Sequence, residues 1–166
     1  MIPQFKVRMA HDAISLVKEV LDSGFIGQGS KVDYFEELLQ EELKTDVKPV
    51  TVNSCTSSID LALDLIGVDH ESEIISTPQT CFASQVGALK KKSKIRWADI
   101  DPITGCIDPK SVKNLITKKT KAIIAVNWAG KLCNYTALKQ FNIPVIEDAA
   151  HCWDVFTDKK FERGNY

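Results

Sequence analysis

Strand-like and helix-like segments alternate along most of this chain of 166 residues. Short apolar runs, typical of buried strands, occur at residues 50–52, 73–76, 95–98, 122–126 and 144–146. Segments with helical spacing of apolar residues lie between them, at about 56–66, 81–90, 109–117 and 134–141. Parallel strands joined by helical crossovers place helices on both faces of one sheet. We therefore expect an α/β fold, a three-layer sandwich around a mostly parallel sheet.

Two further helical segments precede the alternating region. Residues 11–22 carry apolar side chains at helical spacing, and a second helix is expected from Ser30, a good N-cap, to about residue 44. A loop with three glycines, at 24–29, separates the two segments. Because the sequence contains no internal repeat, low-complexity stretch or linker, we expect one continuous α/β unit.

Composition excludes several classes of function. Lysine and arginine number 21 against 22 aspartates and glutamates, a formal net charge of −1, which argues against a nucleic-acid or membrane partner held by bulk electrostatics. No run approaches the ~18 apolar residues of a membrane span, and the N-terminus lacks a signal-peptide core. The five cysteines are odd in number and far apart, so we expect neither a disulfide framework nor a metal site, and we predict a cytoplasmic location.

The most informative stretch is 143–151, an apolar strand that ends in Glu147-Asp148-Ala149-Ala150-His151. Ligands of α/β proteins bind at the carboxyl ends of parallel strands, so we expect Asp148 to face a binding crevice. A carboxylate there can keep a heteroaromatic ring nitrogen protonated, which makes a pyridoxal ring an electron sink. The alternative is an ordinary strand whose aspartate caps the next helix.

Hydroxyl side chains are concentrated at residues 54–58, between the short run 50–52 and an amphipathic helix. A helix N-terminus offers backbone N–H groups and a partial positive charge to an anion. Plain N-capping is the alternative, and it needs only one hydroxyl. Four hydroxyl residues in five positions favour a phosphate cradle.

Other strand ends carry groups suited to the same ligand. Phe82 follows the strand 73–76 and either stacks on a flat ligand or belongs to the core. Asn127 follows the strand 122–126 and either bonds a ligand or closes the turn. A phosphate site, a stacking ring and a carboxylate at one sheet edge are what a phosphorylated pyridine cofactor requires.

With these motifs in this order, the chain resembles the DegT/DnrJ/StrS family of pyridoxal-phosphate-dependent sugar aminotransferases, which have the type I aspartate-aminotransferase fold. The matching positions cover nearly the whole chain and lie at 24–29, 35–36, 53–58, 78–84, 99–102, 107–109, 120–123, 130 and 147–151. The resemblance implies that residues 1–166 are the N-terminal part of the large cofactor-binding domain, and that the catalytic-lysine segment and a smaller C-terminal domain are absent.

The resemblance also implies roles for individual residues. Cys55 and Thr56 would bind the cofactor phosphate through backbone and hydroxyl groups, although the family usually has Gly or Ala in place of Cys55. Phe82 would stack on the pyridine ring. Asp148 would pair with the ring nitrogen, and His151 would lie near the phenolic oxygen.

The reaction that the resemblance implies is transfer of an amino group, usually from glutamate, to a keto-sugar nucleotide, in nucleotide-sugar and cell-surface polysaccharide biosynthesis. It needs a lysine that forms a Schiff base with the cofactor. Lys159 and Lys160 are too close to Asp148 to match that lysine, so no catalytic residue is assigned. We expect the chain alone to be inactive, to hold pyridoxal 5'-phosphate non-covalently at most, and to self-associate, as a homodimer or otherwise.

Two alternatives stay open beside the aminotransferase. The chain is either a non-catalytic module that holds cofactor or assembles with a partner, or one half of a split enzyme. A generic Rossmann-like nucleotide binder ranks below both, because no Gly-x-Gly-x-x-Gly turn follows any predicted strand.

Overall fold

The computed structural model describes residues 6–7, 9–152 and 164–165. The chain forms two compact units, residues 1–50 and residues 51–166. Lys159 and Lys160 lie outside the described residues.

The first unit contains two helices, α1 (Ala13–Ser23) and α2 (Ser30–Leu43). Helix α1 ends at Gly24, whose φ of 73° lies in the left-handed region that glycine adopts without strain. In α2 the buried carboxylate of Glu36 lies 3.5 Å from the Lys48 ammonium. Both predicted helices are present, with ends within two residues of the expected ones.

The second unit contains the sheet. Its elements, in chain order, are α3 (Cys55–Ile66), β1 (Glu73–Ser76), α4 (Ala83–Lys90), β2 (Lys94–Trp97), α5 (Pro109–Leu115), β3 (Thr120–Val126), α6 (Tyr135–Lys139) and β4 (Val145–Asp148). The four described strands are all paired in parallel, in the order β2-β1-β3-β4. The predicted α/β class with a mostly parallel sheet is confirmed.

Capping residues account for where the helices of this unit begin. Ser54 accepts the backbone N–H of Ser57 at 3.2 Å and so starts α3. Asp108 accepts the N–H of Lys110 at 2.9 Å at the start of α5, and Pro109 occupies the first helical position. The capping signals in the sequence thus fix the helix starts to within about two residues.

The predicted strand at 50–52 is absent, and this prediction was wrong. These residues are coil, and no described strand pairs with them. Val50 and Val52 are exposed, so the run has no buried face. β-branched residues such as valine favour a strand when their side chains pack on a half-buried sheet surface. A run of three strand-forming residues becomes a strand only when it pairs with a neighbouring strand. Neither edge strand of the described sheet, β2 or β4, pairs with this run.

Successive strand residues supply two separate cores, one on each face of the sheet. On one face, Ile75 and Ile123 pack with residues of α5 and α6, such as Val112 and Leu138. On the other face, alternate strand residues pack against Leu63 of α3 and Ala88 of α4; these strand residues include Ile74, Ala122, Ile124 and Ile146. This period-two division gives the three layers that the sequence predicted.

The strand order places a ligand crevice at a definite position. After β1 the chain moves outward to β2, and it then returns to the other side of β1 to form β3. The order therefore reverses between β1 and β3, and α/β proteins bind ligands outside the carboxyl ends of the strands at such a point. Among the described residues, no helix is both long and apolar enough to cross a membrane.

Glu73, at the start of β1, should make stability depend on pH. Thr117 donates a hydrogen bond of 2.7 Å to the buried carboxylate, and Arg96 lies 3.3 Å from it. The Thr117 bond, followed by the Arg96 charge, lowers the pKa of Glu73 below its usual 4.5. A lowered pKa means that the stabilisation is present at neutral pH and is lost as the pH falls below that usual value.

Urea denaturation of wild type and Glu73→Gln at several pH values measures this effect. The free energy of unfolding of Glu73→Gln should fall less between neutral and acid pH than that of wild type. Thr117→Val should reduce this fall by a smaller amount. An unchanged decline in Glu73→Gln would contradict the assignment.

Candidate functional site

A cavity of about 180 Å³ opens at the carboxyl edge of the sheet, beside the reversal of strand order. Its walls include Cys55, Thr56, Cys81, Ser84, Asp148 and His151. A larger hollow of about 590 Å³ lies next to α5, but no buried charged side chain lines it. We take the smaller cavity as the candidate site because it contains the buried Asp148 carboxylate. Burying a charged group costs free energy unless the group is paired, so a buried carboxylate in a cleft indicates a binding partner.

Asp148 is the centre of this cavity. It is the last residue of β4, and only 5% of its surface is exposed. Its Oδ2 accepts the hydroxyl of Ser84 at 2.6 Å, and its Oδ1 accepts the backbone N–H of Ala150 at 3.2 Å. The side chain does not cap a following helix; its own backbone turn and α4 hold it at the cavity wall.

The thiol of Cys55 also faces Asp148, with Sγ donating to Oδ1 at 3.5 Å. Partial burial, with the negative charge of Asp148 as the next cause, raises the pKa of this thiol to about 11. Cys55 therefore stays protonated at neutral pH, so it acts as a hydrogen-bond donor and not as a nucleophile.

The first turn of α3 divides its hydroxyl groups between capping and the cavity. Ser57 donates its hydroxyl to Asn53 Oδ1 at 2.7 Å, and Ser58 donates to the Ser54 carbonyl at 3.4 Å. Thr56 is the hydroxyl residue of this turn that lines the cavity. Because the first N–H groups of a helix have no acceptor within it, the Cys55 and Thr56 amides complete a potential anion site.

Phe82 does not line the cavity, so the structure does not bring it to the other predicted site residues. It is 68% exposed, at the turn that leads into α4. Its neighbours Cys81, Ala83 and Ser84 do line the cavity. Phe82 is the residue immediately before α4, and the strand-end argument could not resolve which side of that turn its ring occupies.

His151 lies on the cavity wall, three residues after Asp148. Its ring is 5.7 Å from that of Trp128, at an angle of 59°. Trp128 begins a short 3₁₀ turn, Trp128–Gly130, in which Ala129 has a positive φ of 50°. Packing against Trp128 gives His151 a preferred position beside the cavity.

Asn127 closes a turn, which was one of the two alternatives considered for it. The residue is fully buried, and its Oδ1 accepts the Tyr135 hydroxyl at 2.8 Å and the Cys133 N–H at 3.0 Å. Its Nδ2 donates to Glu147 Oε1 at 2.7 Å. This amide therefore joins β3, β4 and the start of α6, on the side of the sheet away from Asp148.

Sequence reasoning gave no role to Thr80, Cys81 and Ser84, which are among the residues that line the cavity. The available signal was their spacing around the start of a helix that follows β1, since positions 80 and 84 share one side of a helical turn. Thr80 and Ser84 are in fact hydrogen-bonded to each other, at 2.8 Å.

Comparison with known proteins identifies the family. The sequence model of the DegT/DnrJ/EryC1/StrS aminotransferase family matches residues 7–160. The chain belongs to this family. Spore coat polysaccharide biosynthesis protein SpsC of Bacillus subtilis is 33% identical over 153 residues, which cover 90% of this chain and 39% of SpsC.

Solved structures share this fold. AtS13 from Actinomadura melliaura superposes with a TM-score of 0.85 at 37% identity, over 93% of this chain and 44% of that one. A sugar aminotransferase described as putative, Spr1654 from Streptococcus pneumoniae, gives 0.86 at 29% identity in its PLP form, over 92% of this chain and 44% of that one. The chain spans about two fifths of the length of the curated relatives it matches.

These neighbours support the cofactor predicted from the sequence. Spr1654 is known in a PLP form and in a PMP form, the aldehyde and amine forms of one cofactor. The residues of the cavity fit such a group, because a buried carboxylate and a helix N-terminus lie on the same cavity wall, and the Thr56 hydroxyl there has no hydrogen-bond partner among the described residues.

Proposed function

We propose that this chain forms the cofactor-binding part of a pyridoxal-phosphate-dependent aminotransferase that aminates a keto-sugar nucleotide, with glutamate as donor. The observation that carries the proposal is the buried carboxylate of Asp148 beside the N-terminus of α3. Family membership and the sugar aminotransferases among the structural neighbours support the substrate class. A homodimer and a cytoplasmic location stay predictions.

Each cavity residue has a distinct part in this proposal. Pyridoxal phosphate, when bound, supplies an electron-withdrawing ring that stabilises negative charge on a substrate carbon. Asp148 holds the proton on the ring nitrogen, Thr56 and the α3 amides bind the phosphate, and His151 lies at the ring edge. Phe82 stays the predicted stacking ring, and its neighbour Cys81 lines the cavity wall.

The Schiff-base lysine belongs to another segment of the whole protein in this proposal. No lysine from the described part of the chain lines the cavity. The lengths of the relatives leave room for that segment and for a second domain. Cofactor bound by the chain alone should therefore be released by denaturation without a covalent label.

Titration of the chain with pyridoxal phosphate, followed by tryptophan fluorescence, tests the proposal. Pyridoxal, which lacks the phosphate, should bind at least about tenfold more weakly, because a hydrogen bond to a charged group contributes about 1.5–3 kcal/mol. Thr56→Val should weaken binding of pyridoxal phosphate but not of pyridoxal. Equal affinity for the two compounds would overturn the phosphate site, and no binding of either would overturn the proposed function.

A further inference from the structure

We infer that Ser84 is a positioning residue that aims the Asp148 carboxylate at the cofactor ring nitrogen, and that Thr80 supports it from behind. The inference rests on the proposed function. Ser84 is in the first turn of α4 and 2% exposed, and its hydroxyl lies 2.6 Å from Asp148 Oδ2. Nothing in the sequence motif around Asp148 indicates this contact, since the two residues are 64 positions apart.

The direction of the hydrogen bonds follows from counting protons. An ionised carboxylate only accepts, so the single hydroxyl proton of Ser84 points to Asp148. The 2.8 Å contact between the Thr80 and Ser84 hydroxyls then has Thr80 as donor. The chain therefore runs from Thr80 to Ser84 to Asp148, and each bond polarises the next.

These contacts fix the orientation of the carboxylate at both oxygens. Oδ2 is held by Ser84, and Oδ1 is held by the Ala150 N–H and the Cys55 thiol. Of these donors, Ser84 makes the shortest contact, and its removal leaves Oδ2 without a donor among the described residues. A carboxylate that can turn about its terminal bond spends less time in line with a ring nitrogen.

A merely structural role would look different. The buried Ser93, beyond the other end of α4, donates its hydroxyl to the Ala88 carbonyl at 2.9 Å and so ties its turn to its own helix. The Ser84 hydroxyl instead donates its hydrogen bond to Asp148 of β4 at the cavity wall and not to a carbonyl of its own helix. Ser93→Ala is therefore a matched control for Ser84→Ala.

The experiment compares two cofactor analogues on three variants. Pyridoxal phosphate has the ring nitrogen, and 1-deazapyridoxal phosphate has a carbon–hydrogen group in its place. Ser84→Ala should weaken binding of pyridoxal phosphate about tenfold, the effect of one hydrogen bond to a charged group. It should leave the affinity for the deaza analogue unchanged. Thr80→Val, which keeps the Ser84 donor, should give a smaller loss with the same selectivity, and Ser93→Ala should alter neither affinity.

The outcomes separate this inference from the proposed function. Wild type that binds neither compound refutes the proposed function. Wild type that binds pyridoxal phosphate, together with equal losses for both compounds in Ser84→Ala and Thr80→Val, refutes the positioning role and leaves the function standing. Should Ser84→Ala fail to fold, Thr80→Val provides the same comparison. If the ratio of its affinities for pyridoxal phosphate and for the deaza analogue equals that of wild type, the inference is overturned.

Discussion

Replacing Asp148 by asparagine should weaken binding of pyridoxal phosphate about a hundredfold, since a charge-assisted hydrogen bond in a buried site contributes about 3 kcal/mol. The amide keeps the size of the side chain and can still accept from Ser84, but it cannot hold a ring proton by charge. Fluorescence titration of the chain measures the affinity, and the proposed transaminase activity of the whole protein should be mostly lost.

Glu147→Gln is the matched control for this substitution. Glu147 precedes Asp148 in β4, and its carboxylate accepts from Asn127 and from the Gly164 N–H at 2.9 Å, so it points away from the cavity. We expect this variant to lose stability and to keep its cofactor affinity. Near-normal affinity in Asp148→Asn would refute the role assigned to Asp148.

Replacing Asn127 by alanine should lower the free energy of unfolding by about 3–5 kcal/mol. The substitution removes three hydrogen bonds and leaves groups of the buried Tyr135 and Cys133 and of the half-buried Glu147 without that partner. Urea denaturation followed by circular dichroism measures the loss.

Two further variants make the Asn127 result specific. Asn134 caps α6 by accepting the Ala137 N–H at 3.0 Å and is exposed, so Asn134→Ala should cost only about 1 kcal/mol. Tyr135→Phe removes one of the three bonds and should cost about 1–2 kcal/mol. Equal losses in Asn127→Ala and Asn134→Ala would show that the buried network contributes nothing beyond a cap.

The layers of the fold could be predicted because hydrophobic periodicity and capping are local signals. Consecutive apolar residues such as Ile74 and Ile75 indicate a strand buried on both faces, and Ser30 indicates where α2 begins. The run 50–52 carries the same local signal, but whether it pairs depends on neighbouring strands that no local pattern describes. The division of the chain at residues 50 and 51 likewise has no marker in composition.

The candidate site could be predicted where residues belong to a strand end or to the first turn of a helix. Asp148 follows from the rule that the carboxyl ends of parallel strands meet at one edge, and Thr56 follows from its place at the N-terminus of a predicted helix. The direction of the Phe82 side chain depends on the turn into α4, and the contact of Ser84 with Asp148 joins residues far apart in sequence. Both features depend on the three-dimensional arrangement of the chain and have no local signal in the sequence.

The cavity shares with the described cores only Ile59 and Val126, and this small overlap bears on how the family diversifies. The strand interiors need only apolar side chains of suitable volume at alternate positions, and many combinations meet that need. Most of the cavity residues named here lie on turns and first helical turns, where an exchange does not disturb the packed layers. Substitutions in the site and substitutions in the core can therefore accumulate almost independently. This explains how two chains with 29% identity keep the same fold, with a TM-score of 0.86.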